Sequence, residues 1–410
     1  MFLSLIAIAI ACQPDPLVDT GPTAVADGPH GCPVLLREPP RLGEDVEDLP
    51  YATLHVPMLG AAPQPYNLRR GIHGDPAVDA TIMWQTDLPT LASRVKLTGP
   101  DGLALVDGAS FPAPDDSARH HEIHLCGLEP ATEYRYRVGG RGAWSDEHSF
   151  TTAPDDPGAS VRMVVLGDSR DDLEVWAEVL ALAAGHEPDL ILHTGDVVAL
   201  GGLQSLWDEW LGVSEAVLAE IPILTVHGNH EFMAPNYFGA FALPGNEQWY
   251  SVDWGALHLT VLNDLAPGAL DSEQTAWLAD DLAGTDRAWR LMSHHQPSWT
   301  DGTHAPNIEA RDEWNPLLEA FAPAVLVLAG HNHLYERTVP ILGEVQDPAG
   351  ITYVTTGGSG APLYGIGTEW FLEVTESTYH YMVLDIGTDK LQATAYRMDG
   401  SVLDSFELVL

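Results

Sequence analysis

The chain has 410 residues, which is enough for two or three domains that each bury a core. Its 18 Lys and Arg residues and 59 Asp and Glu residues give a net charge of 18 − 59 = −41 at pH 7. So acidic a chain is unsuited to nucleic acid or to anionic lipid, and a phosphate-bearing ligand would need strong positive charge close to its binding site.

The first twelve residues, MFLSLIAIAIAC, form an apolar run that ends in a cysteine. The run is too short to span a bilayer, which takes about 20 residues, and it has the length of a signal-peptide core. Its last four residues, AIAC, resemble a bacterial lipoprotein cleavage site, although no Lys or Arg precedes the run and Ala9 stands where leucine is usual. We therefore expect an exported protein, either an outer-membrane or periplasmic lipoprotein attached through Cys12 or a secreted protein.

Residues 13–50 are rich in Pro, Gly, Asp and Glu and show no periodicity, which indicates a linker. Cys32 lies in this linker, and Cys126 is the one cysteine further along the chain. In an exported protein these two residues could form a disulfide, and two free thiols are the alternative.

Residues 51–154 contain short alternating runs between turn signals, namely ATIMWQT, SRVKLTG, HHEIHLCGL, TEYRYRVGG and EHSFTTAP. This pattern predicts an all-β antiparallel sandwich. The segment LEPATEYRYRVGG and the SFTTAP that follows it resemble the end of a fibronectin type III-like domain. We expect Trp84, Tyr134 and Tyr136 to belong to the core of this sandwich.

Residues 155–410 have a different pattern, in which apolar runs alternate with amphipathic stretches of helical length. VRMVVLG precedes LEVWAEVLALAAG, DLILHTG precedes LQSLWDEWLGVSEAVLAE, and WRLMSH precedes IEARDEWNPLLEAF. Strands and helices that alternate in this way predict an α/β domain with mixed, buried sheets and helices outside. In such sheets, ligands bind at the carboxyl ends of the strands.

Five successive apolar runs are each followed by Asp, Asn or His, and four of them also carry a glycine that opens the turn. The residues are Asp168, Asp196, Asn229 with His230, His294 with His295, and His331 with His333. Carboxylate, imidazole and amide groups are suited to ions such as Zn, Mn or Fe. A carboxylate in the middle of this order, such as Asp196, can bridge two ions, and a pair of ions can clamp a phosphoryl group while bound water is acidified to a nucleophile.

The motifs GD, GD, GNHE, H and GHNHLYER, spread over residues 161–339, resemble those of the calcineurin-like metallophosphoesterase superfamily. They are most similar to those of the purple acid phosphatases, in which a fibronectin-like domain precedes the catalytic domain. The resemblance implies a layered sandwich of mixed sheets flanked by helices, a centre of two metal ions, and hydrolysis of phosphate esters.

The resemblance also implies six metal ligands. They are Asp168 and His333 for the first ion, Asp196 as the bridge, and Asn229, His295 and His331 for the second ion. We choose His295 over His294 because the family ligand is typically followed two positions later by proline, and Pro297 stands at that distance.

Two further histidines match residues of the family that act on the substrate. His230 matches a histidine that contacts phosphate and assists the leaving group, and His304 matches a pocket histidine in acid–base catalysis or substrate contact, with an ordinary loop residue as the alternative. Four residues beside the ligand turns are expected to support and orient them: Glu231, Tyr335, Glu336 and Arg337.

The chain departs from the family pattern at the first metal position. Ala199 stands where purple enzymes have a tyrosinate ligand, and Arg170 stands where related non-purple members have a histidine. We therefore expect no tyrosinate colour, and three possibilities remain open: water fills the gap, the first ion binds weakly, or the site works with a single ion. His193 and His227 are expected to be core or supporting residues, and either could replace the missing ligand.

Arg170 cannot ligate a metal, because a guanidinium has no free lone pair. We expect it to bind a phosphate oxygen and stabilise developing negative charge. The alternative is a salt bridge to Asp171 or Asp172.

The resulting functional hypothesis is an exported metallophosphatase that hydrolyses small phosphomonoesters, best at mildly acidic pH. A phosphodiesterase acting on nucleotides or lipid head groups and a surface binding protein with reduced catalysis are the alternatives. Five aromatic residues in the substrate-side loops could line the pocket or only pack the loops: Tyr237, Phe238, Trp249, Tyr250 and Trp299.

Overall fold

The structure is a computed structural model that describes residues 53–265 and 272–410. The expected leader at residues 1–12, the linker at residues 13–50, Cys12 and Cys32 lie outside the described residues. Among the described residues, no helix is long and apolar enough to cross a membrane.

The first domain is a sandwich of two antiparallel sheets, as the alternating pattern predicts. Its strands are β1 (Thr53–Leu54), β2 (Tyr66–Gly71), β3 (Ala80–Thr86), β4 (Arg94–Gly99), β5 (Gly102–Asp107), β6 (Ala109–Pro112), β7 (Arg119–Leu125), β8 (Glu133–Gly140), β9 (Ala143–Trp144) and β10 (His148–Thr151). One sheet has the order β1-β6-β7-β3-β2, and the other has the order β10-β8-β4-β5 with β9 paired to β8. Trp84, Tyr134 and Tyr136 are buried between the sheets, which confirms their predicted place in the core.

The second domain consists of two mixed sheets with helices. Its elements are β11 (Val161–Leu166), α1 (Leu173–Ala184), β12 (Leu190–His193), α2 (Gln204–Leu218), β13 (Ile223–Thr225), α3 (Pro235–Ala240), β14 (Tyr250–Trp254), β15 (Leu257–Val261), α4 (Ser272–Gly284), β16 (Trp289–Ser293), α5 (Ile308–Glu319), β17 (Val325–Ala329), β18 (Tyr335–Thr338), β19 (Ile341–Leu342), β20 (Val345–Gln346), β21 (Thr352–Thr356), β22 (Leu372–Glu376), β23 (His380–Ile386), β24 (Lys390–Arg397) and β25 (Val402–Val409). The larger sheets have the orders β13-β12-β11-β23-β24-β25 and β14-β15-β16-β17-β21-β18-β22.

The arrangement of the parallel strands positions the site. Strands β11, β12 and β13 run parallel in one sheet, and β15, β16, β17 and β21 run parallel in the other. Apolar side chains from both sheets share one hydrophobic cluster, so the sheets pack face to face. The carboxyl ends of these strands therefore open towards a common edge, where the loops that carry the predicted ligands begin.

The helices predicted from amphipathic stretches, α1, α2 and α5, form where expected, while α3 does not match the sequence analysis. The sequence analysis places this segment in a substrate-side loop, whereas the structure has a six-residue helix there. Five of those six residues are buried, so tertiary packing, and not an amphipathic period, stabilises this short helix.

The sandwich contacts the second domain mainly through α2 and the residues that follow it. Gln85 donates a hydrogen bond to the Asp208 carboxylate at 2.9 Å, and the Arg70 guanidinium donates to the Glu220 carbonyl at 2.9 Å. The Tyr136 hydroxyl donates to the carbonyl of Ala219. These buried contacts connect the sandwich to the helix that follows the Asp196 turn.

Candidate metal centre

Two groups of acidic and histidine side chains lie close together at the common strand edge. The first group is Asp168, Asp196 and His333, and the second is Asp196, His295 and His331; within each group the potential ligand atoms lie within 4.8 Å of one another. Asp196 belongs to both groups, which is the arrangement required of a bridging carboxylate between two ions.

Asn229 completes the second group, since its Oδ1 lies 3.1 Å from His295 Nε2. The same His295 Nε2 lies 3.3 Å from Asp196 Oδ1. The fold thus brings all six residues that the sequence analysis selected as ligands into one buried centre.

Three of these residues adopt a left-handed backbone. The φ angles of Asp168, Asp196 and His331 are 55°, 55° and 68°. Such angles cost about 1–3 kcal/mol for residues other than glycine and persist only where the surroundings impose them. The preceding glycines allow this crowding: a Cβ on Gly330, for example, would lie 2.5 Å from Asp168 Oδ2. The backbone is therefore held in strained turns that point side chains at one another.

The hydrogen bonds of His295 and His333 favour metal binding. His295 Nδ1 lies 2.8 Å from the Thr194 carbonyl, and His333 Nδ1 lies 2.7 Å from the Pro362 carbonyl. Because a carbonyl only accepts, each Nδ1 donates, and each Nε2 faces the carboxylates. This is the pattern found when a histidine ligand is oriented by a backbone carbonyl.

The electrostatics of the pocket also fit bound cations. The buried Oδ1 of Asp168 has no hydrogen-bond partner, and a buried carboxylate oxygen without a donor is costly unless a cation faces it. Burial lowers the pKa of His295, but Asp196, Asp168 and Asp264 outweigh it and raise that pKa to about 10. A site that attracts a proton so strongly also attracts a metal ion, which would replace that proton.

The neighbouring His294 faces the other way. Its Nδ1 lies 3.6 Å from Asp264 Oδ2, and its ring packs edge-on against Trp314. Asp264 accepts hydrogen bonds from the backbone N–H groups of His295 and Gln296, so it supports this ligand turn from behind. Sequence analysis missed Asp264, although it follows the apolar strand β15 just as the selected residues follow theirs.

Glu231 is the main support of the Asp196 turn. It is fully buried and accepts hydrogen bonds from the backbone N–H groups of Asp196, Val197, Val198 and Gly228. Burial and the Asp196 carboxylate raise the pKa of Glu231 to about 8, while the N–H donors oppose that rise. The supporting role expected for this residue agrees with these contacts.

The YER residues also make supporting contacts. Tyr335 donates to Asp404 at 2.8 Å, and the Arg337 guanidinium pairs with the same carboxylate at 2.6 Å. Glu336 accepts hydrogen bonds from Thr300 and from the backbone of Asp301, in the loop that carries His304. The three side chains therefore connect the strand after the ligand turn to Asp404 and to the loop that carries His304. They do not belong to either metal group.

His193 and His227 do not reach the metal groups. His193 contacts the Ser169 hydroxyl at 2.8 Å and accepts from the Gly195 N–H, and His227 accepts from the Met233 N–H at 2.9 Å. Burial lowers the pKa of each to about 3. Both are supporting residues, so neither replaces the ligand missing at Ala199.

Arg170 lies against the first group. Its Nε is 3.5 Å from Asp196 Oδ2, its Nη2 is 3.4 Å from His333 Nε2, and its Nη1 pairs with Asp171. The salt bridge to Asp171, considered as the alternative for this residue, is present, and it holds the guanidinium beside the first group, where binding of a phosphate oxygen stays a prediction.

His230 and His304 lie on two sides of the pocket. His230 Nδ1 donates to the Ala199 carbonyl at 2.8 Å, and its Nε2 lies 3.8 Å from Asp196 Oδ2. The His304 ring is exposed and lies 4.4 Å, centroid to centroid, from that of His331.

Tyr364 is a site residue that sequence analysis missed. Its ring stacks on His333 at 3.9 Å between centroids, and its hydroxyl lies 3.4 Å from His304 Nε2 and hydrogen-bonds to Arg170. The loop that carries it is attached to the ligand turns, because the Tyr364 N–H donates to the His333 carbonyl and the Ala361 N–H donates to the Asp168 carbonyl. A glycine-rich stretch, GGSGAPLYGIG, is the signal that could have indicated such a loop.

The aromatic residues proposed for the substrate-side loops are mostly packing residues. Tyr237, Phe238, Tyr250 and Trp299 are buried, and Trp249 packs partly buried against a hydrophobic cluster. The exposed aromatic side chain near the centre is instead Phe232, whose ring lies 6.2 Å from that of His230.

Comparison with known proteins agrees with this architecture. Residues 161–335 match the family described as calcineurin-like phosphoesterase, and residues 65–152 match the purple acid phosphatase N-terminal domain. The second part of the chain is therefore a calcineurin-like metallophosphatase domain, a fold that implies a site for two metal ions. The two matches thus give a calcineurin-like metallophosphatase domain preceded by a purple acid phosphatase N-terminal domain.

The chain is similar to curated proteins that are named as acid phosphatases. Purple acid phosphatase 15 of Arabidopsis thaliana is 30% identical over 285 residues, which is 58% of this chain and 53% of that protein. Purple acid phosphatase 21 of the same plant is 29% identical over 60% of this chain and 59% of that protein. Acid phosphatase type 7 of Mus musculus is 25% identical over 85% of this chain and 93% of that protein. The chain thus spans less than two thirds of the two plant relatives.

Solved structures share the fold. The purple acid phosphatase PPD1 from yellow lupin (Lupinus luteus) seeds superposes with a TM-score of 0.76 at 19% identity, over 84% of this chain and 74% of that chain. A structure of PhoD superposes with a TM-score of 0.63 at 13% identity, over 85% of this chain and 94% of that chain.

Proposed function

We propose that this protein hydrolyses small phosphate monoesters with the help of two metal ions drawn from Fe, Zn and Mn. The observation that carries the proposal is the pair of ligand groups sharing Asp196, with His230 and Arg170 beside the shared carboxylate. The first group would be formed by Asp168, Asp196 and His333, and the second by Asp196, Asn229, His295 and His331. Bound there, metal ions supply positive charge for phosphoryl oxygens and lower the pKa of water.

Arg170 and Tyr364 bind the phosphoryl group in this proposal. The Arg170 guanidinium is the cationic side chain that contacts the centre, and it carries N–H groups suited to phosphate oxygens. A guanidinium only donates, so the Tyr364 oxygen accepts from it, and the phenol hydrogen is free to be donated to His304 or to a phosphoryl oxygen. These donors favour a monoester, which offers one more non-bridging oxygen than a diester.

His230 protonates the departing alkoxide in this proposal. Its Nδ1 proton is bound to the Ala199 carbonyl, so the exchangeable position is Nε2, on the side of Asp196. The ring is held at the pocket surface with about a quarter of its side chain exposed (27%), which leaves space for an ester oxygen beside it. A positioned acid of this kind typically contributes about 10²–10⁴-fold to the rate.

Hydrolysis of matched esters tests the proposal. We expect the purified full chain, supplied with Zn²⁺ or Mn²⁺, to hydrolyse 4-nitrophenyl phosphate much faster than bis(4-nitrophenyl) phosphate. A faster diester reaction would instead favour the phosphodiesterase alternative. No turnover of either ester with any of the three metals would refute the enzyme and leave the binding-protein alternative.

Substitution of His230 should have an effect that depends on the leaving group. We expect His230→Ala to lower kcat/KM for an alkyl phosphate by about 10²–10⁴-fold. The loss for 4-nitrophenyl phosphate should be much smaller, because nitrophenolate leaves without a proton. His148→Ala, in the sandwich domain, is the control and should leave both reactions unchanged; equal losses for the two esters would exclude the proton-donor role.

Loss of the Tyr364 hydroxyl should weaken phosphate binding. Tyr364→Phe keeps the ring on His333 but removes a hydrogen bond to a charged group, which is typically worth about 1.5–3 kcal/mol. We expect the KM for a monoester and the dissociation constant of inorganic phosphate, measured by calorimetry, to rise about tenfold while kcat changes less. Tyr379→Phe is the control. An unchanged phosphate affinity would limit Tyr364 to a packing role.

We also propose that the protein acts outside the cytoplasm. Cys126 is disulfide-bonded, and disulfides persist in oxidising compartments. Mass spectrometry of the mature protein tests this: cleavage before Cys12 with an added lipid mass indicates a lipoprotein, and an intact leader contradicts export.

A further inference from the structure

We propose that the two metal positions are unequal, so that the group Asp168, Asp196 and His333 binds its ion weakly and in competition with the Arg170 guanidinium. The group Asp196, Asn229, His295 and His331 retains its ion. Catalysis would then depend on the free metal concentration, with the first position filling and emptying reversibly. The consequence for catalysis rests on the proposed function, but measurements of metal binding test the inference by themselves.

The contacts of Arg170 carry the argument. Because His333 Nδ1 donates to the Pro362 carbonyl, its Nε2 holds the lone pair that a metal ion would use. Arg170 Nη2 lies 3.4 Å from that Nε2 and is positioned to donate to it. Arg170 Nε lies 3.5 Å from Oδ2 of Asp196. The guanidinium thus contacts two of the three side chains in the first group.

The guanidinium is held in this place. Its side chain is only 13% exposed and pairs through Nη1 with Asp171, and the Tyr364 hydroxyl hydrogen-bonds to it. Tyr364 is in turn held by its stacking on His333 and by its N–H bond to the His333 carbonyl. A first ion must therefore displace an anchored positive charge or bind beside it.

Among the described His, Cys, Asp and Glu side chains, none beyond Asp168, Asp196 and His333 belongs to the first group. At position 199 an alanine offers no ligand atom, and its carbonyl accepts from His230. His193 and His227 are directed to backbone N–H groups elsewhere. The first group therefore has three protein ligands, one of them shared, whereas the second group has four. Arg170 contacts the second group only through the shared Asp196.

Electrostatics gives the expected size of the difference. A unit positive charge about 4–5 Å from a divalent ion, at an effective dielectric constant of about 20, opposes binding by enough to lower the affinity at least a hundredfold. Arg170 contacts the second group only through the shared Asp196, so an ion held by that group would experience less of this repulsion.

Equilibrium dialysis of the full chain against a series of free Zn²⁺ concentrations, with bound zinc measured by mass spectrometry, tests the inference. We expect wild type to bind one ion first and a second at a free Zn²⁺ concentration at least a hundredfold higher. Arg170→Met removes the charge without offering a strong ligand for zinc. It should lower the free Zn²⁺ concentration at which the second ion binds by at least tenfold. Arg170→His, which adds a ligand, should move it further.

Arg137→Met, which removes an arginine from the sandwich surface, is the matched control and should reproduce the wild-type steps. Wild-type binding of two ions in a single step would overturn the inference, and so would an Arg170→Met curve identical to wild type. Monoester turnover, measured in the same samples, separates the two proposals: turnover with single-step binding overturns only the inference. Two steps without turnover at saturating zinc support the inference, and the absence of turnover with iron and Mn²⁺ as well would reject the proposed function.

Discussion

Replacing Asp196 with asparagine is expected to lower kcat/KM for a phosphate monoester by about a thousandfold or more, which corresponds to about 4 kcal/mol of transition-state stabilisation. Asp196 is the residue that both ligand groups share, so one substitution removes a negative ligand from both. The neutral amide also weakens the pairing with Arg170 and His230, which would disturb the phosphate contact and the acid together. Steady-state kinetics with bound metal measured in parallel tests this prediction.

Asp385→Asn is the control for this experiment. Asp385 is a carboxylate of the second domain that pairs with Arg162 at the surface, and its substitution should leave turnover unchanged. Asp196→Asn should also keep the wild-type circular dichroism spectrum, because the amide occupies the same volume. Undiminished activity with both metals retained would contradict the bridging role.

Replacing Glu231 with alanine is expected to lower the free energy of unfolding by about 3 kcal/mol or more. The carboxylate is fully buried and accepts backbone hydrogen bonds from two separate turns, one around Asp196 and one at Gly228. Without it, these N–H groups lose their acceptor, and the cost of leaving a buried donor unpaired is about 1–3 kcal/mol each. Urea denaturation measures the loss.

The comparison that isolates this effect is Glu178→Ala, on the exposed face of α1. A surface substitution of this kind typically changes stability by less than about 0.5 kcal/mol. The loss of unfolding free energy in Glu231→Gln should lie between the losses in Glu178→Ala and Glu231→Ala. The remaining amide oxygen still accepts hydrogen bonds, but the new NH₂ group faces the other backbone N–H donors. A Glu231→Ala protein as stable as wild type would show that the turns do not need this carboxylate.

Much of the fold was predictable because the signals are local. In β8 the exposed and buried residues alternate from Glu133 to Val138, so the two-residue period of a strand is visible in the letters themselves. Strand β17 is apolar throughout and buried, and β11 and β12 each have one polar residue, Arg162 and His193, in an otherwise apolar and mostly buried run, as continuous runs predict. Helix α3 was not predictable, because its burial and not its pattern stabilises it.

The candidate site was predictable for a similar reason. Each selected ligand comes directly after a buried strand, and the carboxyl ends of the parallel strands meet at one edge. Glycine before Asp168, Asp196 and His331 indicated tight turns, and those three residues do adopt positive φ angles. Tyr364 lies 31 residues beyond His333, and the glycine-rich stretch around it indicates a loop but not that its side chain reaches the centre.

The sequence by itself indicated an all-β part followed by an α/β part, several of the strands and the residues that stand at their ends, because side-chain periodicity and turn chemistry depend on neighbouring positions. Only the tertiary structure decided where individual side chains point. It turned His295 towards Asp196 and His294 towards Asp264, and it placed Arg170 on the first ligand group. The physical reason is that these directions depend on carboxylates and carbonyls supplied by segments far away in the chain, which no local pattern records.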